Sequence, residues 1–291
     1  MRILAAVIES LRPKQWTKNL LLLAALIFSS NLFNLKLSVP AFEGFLIFCL
    51  TSGSVYILND LIDKKQDRLH PVKKFRPVAS GRLPSGVAAA AWLFFAGGSL
   101  LWAFAVNASF GAIVLTYFAL QTLYSLLLKK MAIVDIFIIA LGFVLRVIAG
   151  AAIIAVPMSP WFIVCTMFLS LFLALGKRRF ELVSVEAGAR RASLKGYSVG
   201  LLDQMMTIVT ACTVMTYALY TLAPETVSKF HTSNLIYTLP FVLFGIFRYL
   251  YLIYTEGKGG SPEDILLSDN PLIADILLYG AAVWFILYKH I

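Results

Sequence analysis

Nine stretches of about 20 apolar residues run through this chain, at about 19–37, 41–59, 86–106, 108–128, 133–152, 158–176, 204–223, 235–253 and 271–289. A helix of that length crosses roughly 30 Å of hydrocarbon. Lipid offers the backbone no hydrogen-bond partners, so each stretch must satisfy its own N–H and C=O groups, which a helix does. The expectation is an all-α, polytopic membrane protein with about nine transmembrane helices. The composition agrees: 60% of the 291 residues are hydrophobic and the mean hydropathy is +0.84, whereas soluble domains are nearer 45–50% apolar. A soluble fold is excluded.

The net charge is +10, and its placement is one-sided. Arg2, Arg12, Lys14 and Lys18 precede the first span. Further Lys and Arg crowd residues 60–85, Lys129–Lys130, 177–203 and Lys258, while the opposite loops hold only Lys36 and Lys229. Basic loops stay on the cytoplasmic side, which places the N-terminus and the rich loops in the cytoplasm of a cell with an inner (plasma) membrane. There is no room for a folded nucleic-acid-binding module, so nucleic acid is not an expected partner. Cys49, Cys165 and Cys212 fall inside spans and read as small core residues. No linker divides residues 1–291, so one domain is expected, with an amphipathic interfacial helix over 1–17. Polar segments recur after spans two, four, six and eight, a faint echo that suits two halves around a central cavity opening to the cytoplasm. A homo-oligomer is left open.

Residues 58–81, LNDLIDKKQDRLHPVKKFRPVASG, carry three aspartates and seven basic groups. At helical pitch Asn59, Asp60, Asp63 and Asp67 fall within an arc of about 100°. Carboxylates so crowded at a membrane edge repel one another unless a cation joins them. Hard oxygen donors select Mg²⁺ or Mn²⁺, completed by waters and substrate phosphates. The bland reading is a solvated helix end paired with Lys64, Lys65 and Arg68. Downstream, Arg68, His70, Lys73, Arg76 and Arg82 add positive charge beside the acidic face, the setting of a diphosphate site.

Other polar groups sit near the same end. Lys14 and Lys18 either anchor to headgroups or touch a substrate phosphate. Tyr124, Lys129 and Asp135 adjoin the mouth of the acidic face. Arg146, about 16 Å further along the helix of Asp135, either meets lipid phosphate or holds Glu43. Arg248 reads as a snorkelling side chain, Asp264, Asp269 and Asn270 as caps of the last helix, Arg190, Arg191 and Lys195 as headgroup contacts, and His231 and His290 as bystanders.

The N-D-x-x-D-x-x-x-D run at 59–67 followed by R-P-x-A-S-G at 76–81 resembles the UbiA superfamily of intramembrane prenyltransferases. R-P-K-Q-W-T-K-N at 12–19, L-K-K-x-x-x-x-D at 128–135, G-F-V-L-R-x-x-A-G at 142–150 and G-K-R-R-x-E-L at 176–182 are similar to its decaprenyl-phosphate phosphoribosyltransferase branch. The resemblance covers essentially the whole chain. It implies a nine-helix membrane fold and Mg²⁺-dependent transfer of 5-phosphoribose from phosphoribosyl diphosphate to a polyprenyl phosphate, with release of pyrophosphate. Asn59, Asp60, Asp63 and Asp67 would bind the metal. Typical members carry a second acidic motif after the sixth span. Here Lys177, Arg178, Arg179 and Glu181 stand in that place, and cations suit a phosphate held directly. The alternatives are prenyl transfer from a prenyl diphosphate to an aromatic or other small acceptor, and a transporter or scaffold, which would show broken spans in repeats.

Overall fold

The computed structural model describes residues 2–29, 31–184, 192–260 and 262–288. Arg190, Arg191 and His290 lie outside the described residues. The described chain is helical, with no strand among the described residues. It divides into two compact units, Met1–Pro157 and Met158–Ile291.

The first unit opens with α1 (Arg2–Ser10). Its Ala6 and Val7, with Leu11, pack against Ile57, Val78, Leu83 and Ala88, while Ile3, Leu4 and Ile8 are exposed. Pro13 cannot continue an α-helix from the preceding turn. The chain instead runs as a 3₁₀ segment over Pro13–Leu23 and then α2 (Ala24–Phe28). α3 (Leu35–Ile62) follows, capped by Asn34, whose side chain accepts from Lys36 N–H. Then come α4 (Lys64–Leu69), α5 (Ser85–Val106), α6 (Ala108–Leu126) and α7 (Val134–Ile153). α5, α6 and α7 all pack on α3, and α7 packs in addition on α6, the 3₁₀ segment and α2, so α3 and α7 are the most buried of the long helices.

Two glycines permit the close approaches that place the N-terminal segment. A Cβ on Gly53 would meet Leu11 Cδ2 at 2.7 Å, and one on Gly150 would run into the Leu22 carbonyl oxygen. Small residues let helix backbones approach where lipid supplies no hydrophobic drive.

The second unit comprises α8 (Pro160–Ser184), α9 (Val199–Leu222), α10 (Pro224–Phe230), α11 (Leu239–Tyr254), α12 (Pro262–Ser268) and α13 (Asn270–Tyr288). α8 packs on α9, and α11 on α13. Asp269 caps α13 by accepting from Leu272 N–H at 3.0 Å, as expected.

Eight helices among the described residues are long and apolar enough to cross a membrane, so this is a multi-pass membrane protein. The expected count of nine is not met by helices of that kind. The first expected span, 19–37, is split among the 3₁₀ segment, α2, a turn and the start of α3, because Pro13 and the Asn31–Asn34 turn interrupt α-helix on either side.

Candidate functional site

α3 ends at Ile62, and Asp63 turns the chain into α4. The expected single helical face over 59–67 is therefore broken at Asp63, although Asp67 N–H still bonds Asp63 C=O at 2.8 Å. Asp60 and Asp67 are buried, at 1% and 4% exposure. Asp63 is half-buried.

Each aspartate has a basic partner from elsewhere in the first unit. Arg12 Nη2 donates to Asp60 Oδ1 at 2.5 Å. Arg76 Nη1 donates to Asp67 Oδ2 at 2.6 Å and lies 3.3 Å from Asp60 Oδ1. Lys129 Nζ sits 2.6 and 2.8 Å from the two oxygens of Asp63 and 3.4 Å from Asn59 Oδ1. The solvated helix end paired with Lys64, Lys65 and Arg68 does not describe this arrangement. Lys64 reaches Ser85 Oγ at 2.7 Å, and Arg68 Nε donates to Ala79 C=O at 3.0 Å.

The elements that deliver these cations carry strain. Arg12 has φ +52° just before a proline, and Ile133, the residue preceding α7, has φ +69°. Positive φ costs of order 1–3 kcal/mol at a non-glycine residue and persists only where surroundings impose it. Asp60 and the Tyr56 ring, 4.7 Å from the Arg12 guanidinium, supply that hold at Arg12. Motif reading singled out Arg12 only as part of a sequence pattern and missed its pairing; no periodicity links residues 48 positions apart.

Asp135 is fully buried in the first turn of α7, which starts just after the 3₁₀ turn of Lys129. Tyr124 is half-buried on α6. His70 Nδ1 accepts from the backbone N–H of Val72 and Lys73, so this ring shapes the turn. Lys18 Nζ donates to Gln15 Oε1 at 2.5 Å, and Lys14 is exposed.

Arg146 is 5% exposed and makes three hydrogen bonds, to Asn19 Oδ1 at 2.7 Å, Gly142 C=O at 2.8 Å and Tyr117 OH at 2.8 Å. It does not hold Glu43, which accepts from Trp102 Nε1 at 2.7 Å. Asn19 donates in turn to Ser52 Oγ and Cys49 Sγ. Arg146 thus ties the 3₁₀ segment to α6 and α7.

In the second unit Arg178 is 1% exposed and bonds Glu181 at 2.7 Å. Arg179 Nε donates to Asp203 at 2.7 Å and stacks 3.9 Å over the Tyr254 ring. Lys177 is half-buried. Arg248, expected to snorkel, instead forms a forked pair with Asp269 at 2.8 and 3.0 Å, because the acidic loop before α13 supplies the carboxylate. That bond holds the Asp269 carboxyl below the usual carboxylate range.

Among the described residues no group of three His, Cys, Asp or Glu stands at metal-binding spacing; guanidinium and ammonium groups sit between the carboxylates instead. The donor chemistry nevertheless suits a hard cation. Asp60 and Asp67 already share one positive nitrogen, and Mg²⁺ typically takes only one or two carboxylates, with waters and phosphate oxygens completing its shell.

Residues 19–262 match the UbiA prenyltransferase family. The decaprenyl-phosphate phosphoribosyltransferase of Mycolicibacterium smegmatis is 34% identical, covering 97% of this chain and 94% of the relative. That of Corynebacterium glutamicum is 35% identical, covering 91% and 82%. Among solved structures, a UbiA homolog from Archaeoglobus fulgidus bound to DMAPP and Mg²⁺ superposes with a TM-score of 0.73 at 22% identity, covering 97% of this chain and 98% of that one. On the family match over most of its length and these near-full-length relatives, this chain belongs to the UbiA prenyltransferase family.

Proposed function

We propose that this protein transfers 5-phosphoribose from phosphoribosyl diphosphate to a decaprenyl-type polyprenyl phosphate, releasing pyrophosphate. The observation that carries this reading is the near-full-length similarity to relatives named for that reaction. The acidic site supports it: buried carboxylates interleaved with cations from three elements match a donor that brings both a metal and several phosphate charges.

In this reading Asn59, Asp60, Asp63 and Asp67 hold Mg²⁺, or Mn²⁺ in its place. The metal supplies charge neutralisation on the departing pyrophosphate. Arg76, Lys129, Lys73 and Lys14 take the donor's remaining phosphate oxygens, and Asp135, with Tyr124, orients the ribose. The acceptor oxygen belongs to a phosphate monoester, already anionic at neutral pH, so attack at the ribose C1 needs no general base. Lys177 and Arg179 are the proposed contacts of that phosphate. Arg178, buried against Glu181, acts as a brace for them. The site faces the cytoplasm of an inner (plasma) membrane, following the basic loops.

Purified protein in lipid nanodiscs should form a labelled, chloroform-soluble product from labelled phosphoribosyl diphosphate plus decaprenyl phosphate, and none from prenyl diphosphate plus 4-hydroxybenzoate. Product from the second mixture alone would replace this reading by aromatic prenylation.

A further inference from the structure

The three aspartates of the proposed donor site are matched one for one by three cations, and none of the cations comes from the helix that bears Asp60. Arg12 enters from the corner before the 3₁₀ segment, Arg76 from the loop after α4, and Lys129 from the turn after α6. Arg12 and Arg76 lie outward of their carboxylates, with side chains 25% and 27% exposed against 2% and 5% for Asp60 and Asp67, while Lys129 and Asp63 are both partly exposed, at 18% and 25%. Arg76 Nη1 stands between the Asp60 and Asp67 carboxylates.

We propose that Arg12, Arg76 and Lys129 are stored counter-ions: they neutralise the aspartates in the empty site and pass to the donor's phosphate oxygens as the divalent ion takes the carboxylates. This inference rests on the assignment of the acidic site to the donor and its metal, and adds Arg12 to the residues that meet the donor. The electrostatics set its direction. The six side chains sum to zero formal charge, so a divalent ion entering alone must displace a bonded cation and leaves the site strongly positive. A diphosphate entering alone meets carboxylates beside every cation. Together the two charges largely offset each other, and each displaced cation finds a new anion, which matters because a buried charge stripped of its partner is heavily penalised. Metal and diphosphate therefore bind as a coupled pair, and by linkage each raises the other's affinity by the same factor.

The test uses Mn²⁺ as the metal and pyrophosphate as the anion, on the full chain in nanodiscs. Bound Mn²⁺ is read by electron paramagnetic resonance and corrected for the Mn²⁺–pyrophosphate complex of protein-free samples. Pyrophosphate should tighten Mn²⁺ binding by about 10-fold or more, within the usual span of such couplings. In Lys129→Gln, Mn²⁺ alone should bind several-fold tighter than in the wild type, since a competitor for Asp63 is gone, and the enhancement by pyrophosphate should shrink. Lys129→Arg, which keeps a cation on Asp63, should not tighten Mn²⁺ binding in this way. A merely structural lysine would not yield a variant that binds metal better. Mn²⁺ binding indifferent to pyrophosphate, or weakened in Lys129→Gln, would overturn the exchange while leaving the donor site standing. No Mn²⁺ bound under either condition would remove the metal assignment and, with it, this inference.

Discussion

At the scale of single residues the site depends on charges that cannot be left alone. Asp60 is almost wholly buried between Arg12 and Arg76. Asp60→Asn keeps the shape and removes the charge, so phosphoribosyl transfer should fall by roughly 100-fold or more, the scale seen when a single group that stabilises developing charge is lost. The variant should still yield a monodisperse, helical protein by size exclusion and circular dichroism. Turnover close to the wild type would contradict the metal assignment. Arg146 poses a different question, since no carboxylate among the described residues pairs with it; its charge is spread over Asn19, Gly142 C=O, Tyr117 OH and the Tyr117 and Phe143 rings. A lysine cannot reproduce that fork. Arg146→Lys should lower stability by roughly 2 kcal/mol, read as a lower midpoint in thermal unfolding in detergent. An unchanged midpoint would show that the three hydrogen bonds are dispensable. Arg12 was hidden from sequence reading for a physical reason: nothing in a local pattern says which of many basic residues folds onto a given carboxylate.

At the scale of elements, the segment 13–28 decides where Arg12 lies. It is seated by Gly150 under Leu22 and by Asn19 against Arg146, Ser52 and Cys49, while Leu11, just before Arg12, rests over Gly53. Gly150→Ala inserts a Cβ where the Leu22 carbonyl already is. The backbone must shift, which typically costs about 1–3 kcal/mol, and the shift is transmitted to the Arg12–Asp60 contact. The expected result is a lowered melting midpoint together with a raised KM for phosphoribosyl diphosphate. A lowered midpoint with an unaltered KM would uncouple the segment from the site. The helical stretches themselves were legible, as was the acidic run at the end of α3, because an apolar span must be helical and its first charges mark where it leaves lipid. The break at Asp63, the 3₁₀ form of Pro13–Leu23 and the burial of Arg178 were not legible; each depends on what a neighbouring element presses against it.

At the scale of the whole molecule, the number of membrane crossings turns on the segment before α3. Eight helices qualify by length and apolarity. The 3₁₀ rise of about 2.0 Å per residue over Pro13–Leu23, followed by the five residues of α2, extends roughly 30 Å. This segment can therefore cross with fewer residues than an α-helix needs. Single cysteines at Thr17 and Asn34, in a background lacking the three native cysteines, should label from opposite faces of sealed vesicles. Labelling from the same face would leave eight crossings and return the segment to the interface.

The sequence alone determined the solvent in which this protein folds, the approximate position of its apolar stretches, the one-sided distribution of its basic loops and the crowding of carboxylates at one point. These are local quantities, summed over neighbours in the chain and dictated by the transfer of side chains and backbone into lipid. The tertiary structure decided the rest. It set Arg12 against Asp60, Lys129 against Asp63, and Arg76 between Asp60 and Asp67. Charge pairing acts over a few ångströms in space and is blind to separation along the chain, so it exists only once packing has brought those elements together.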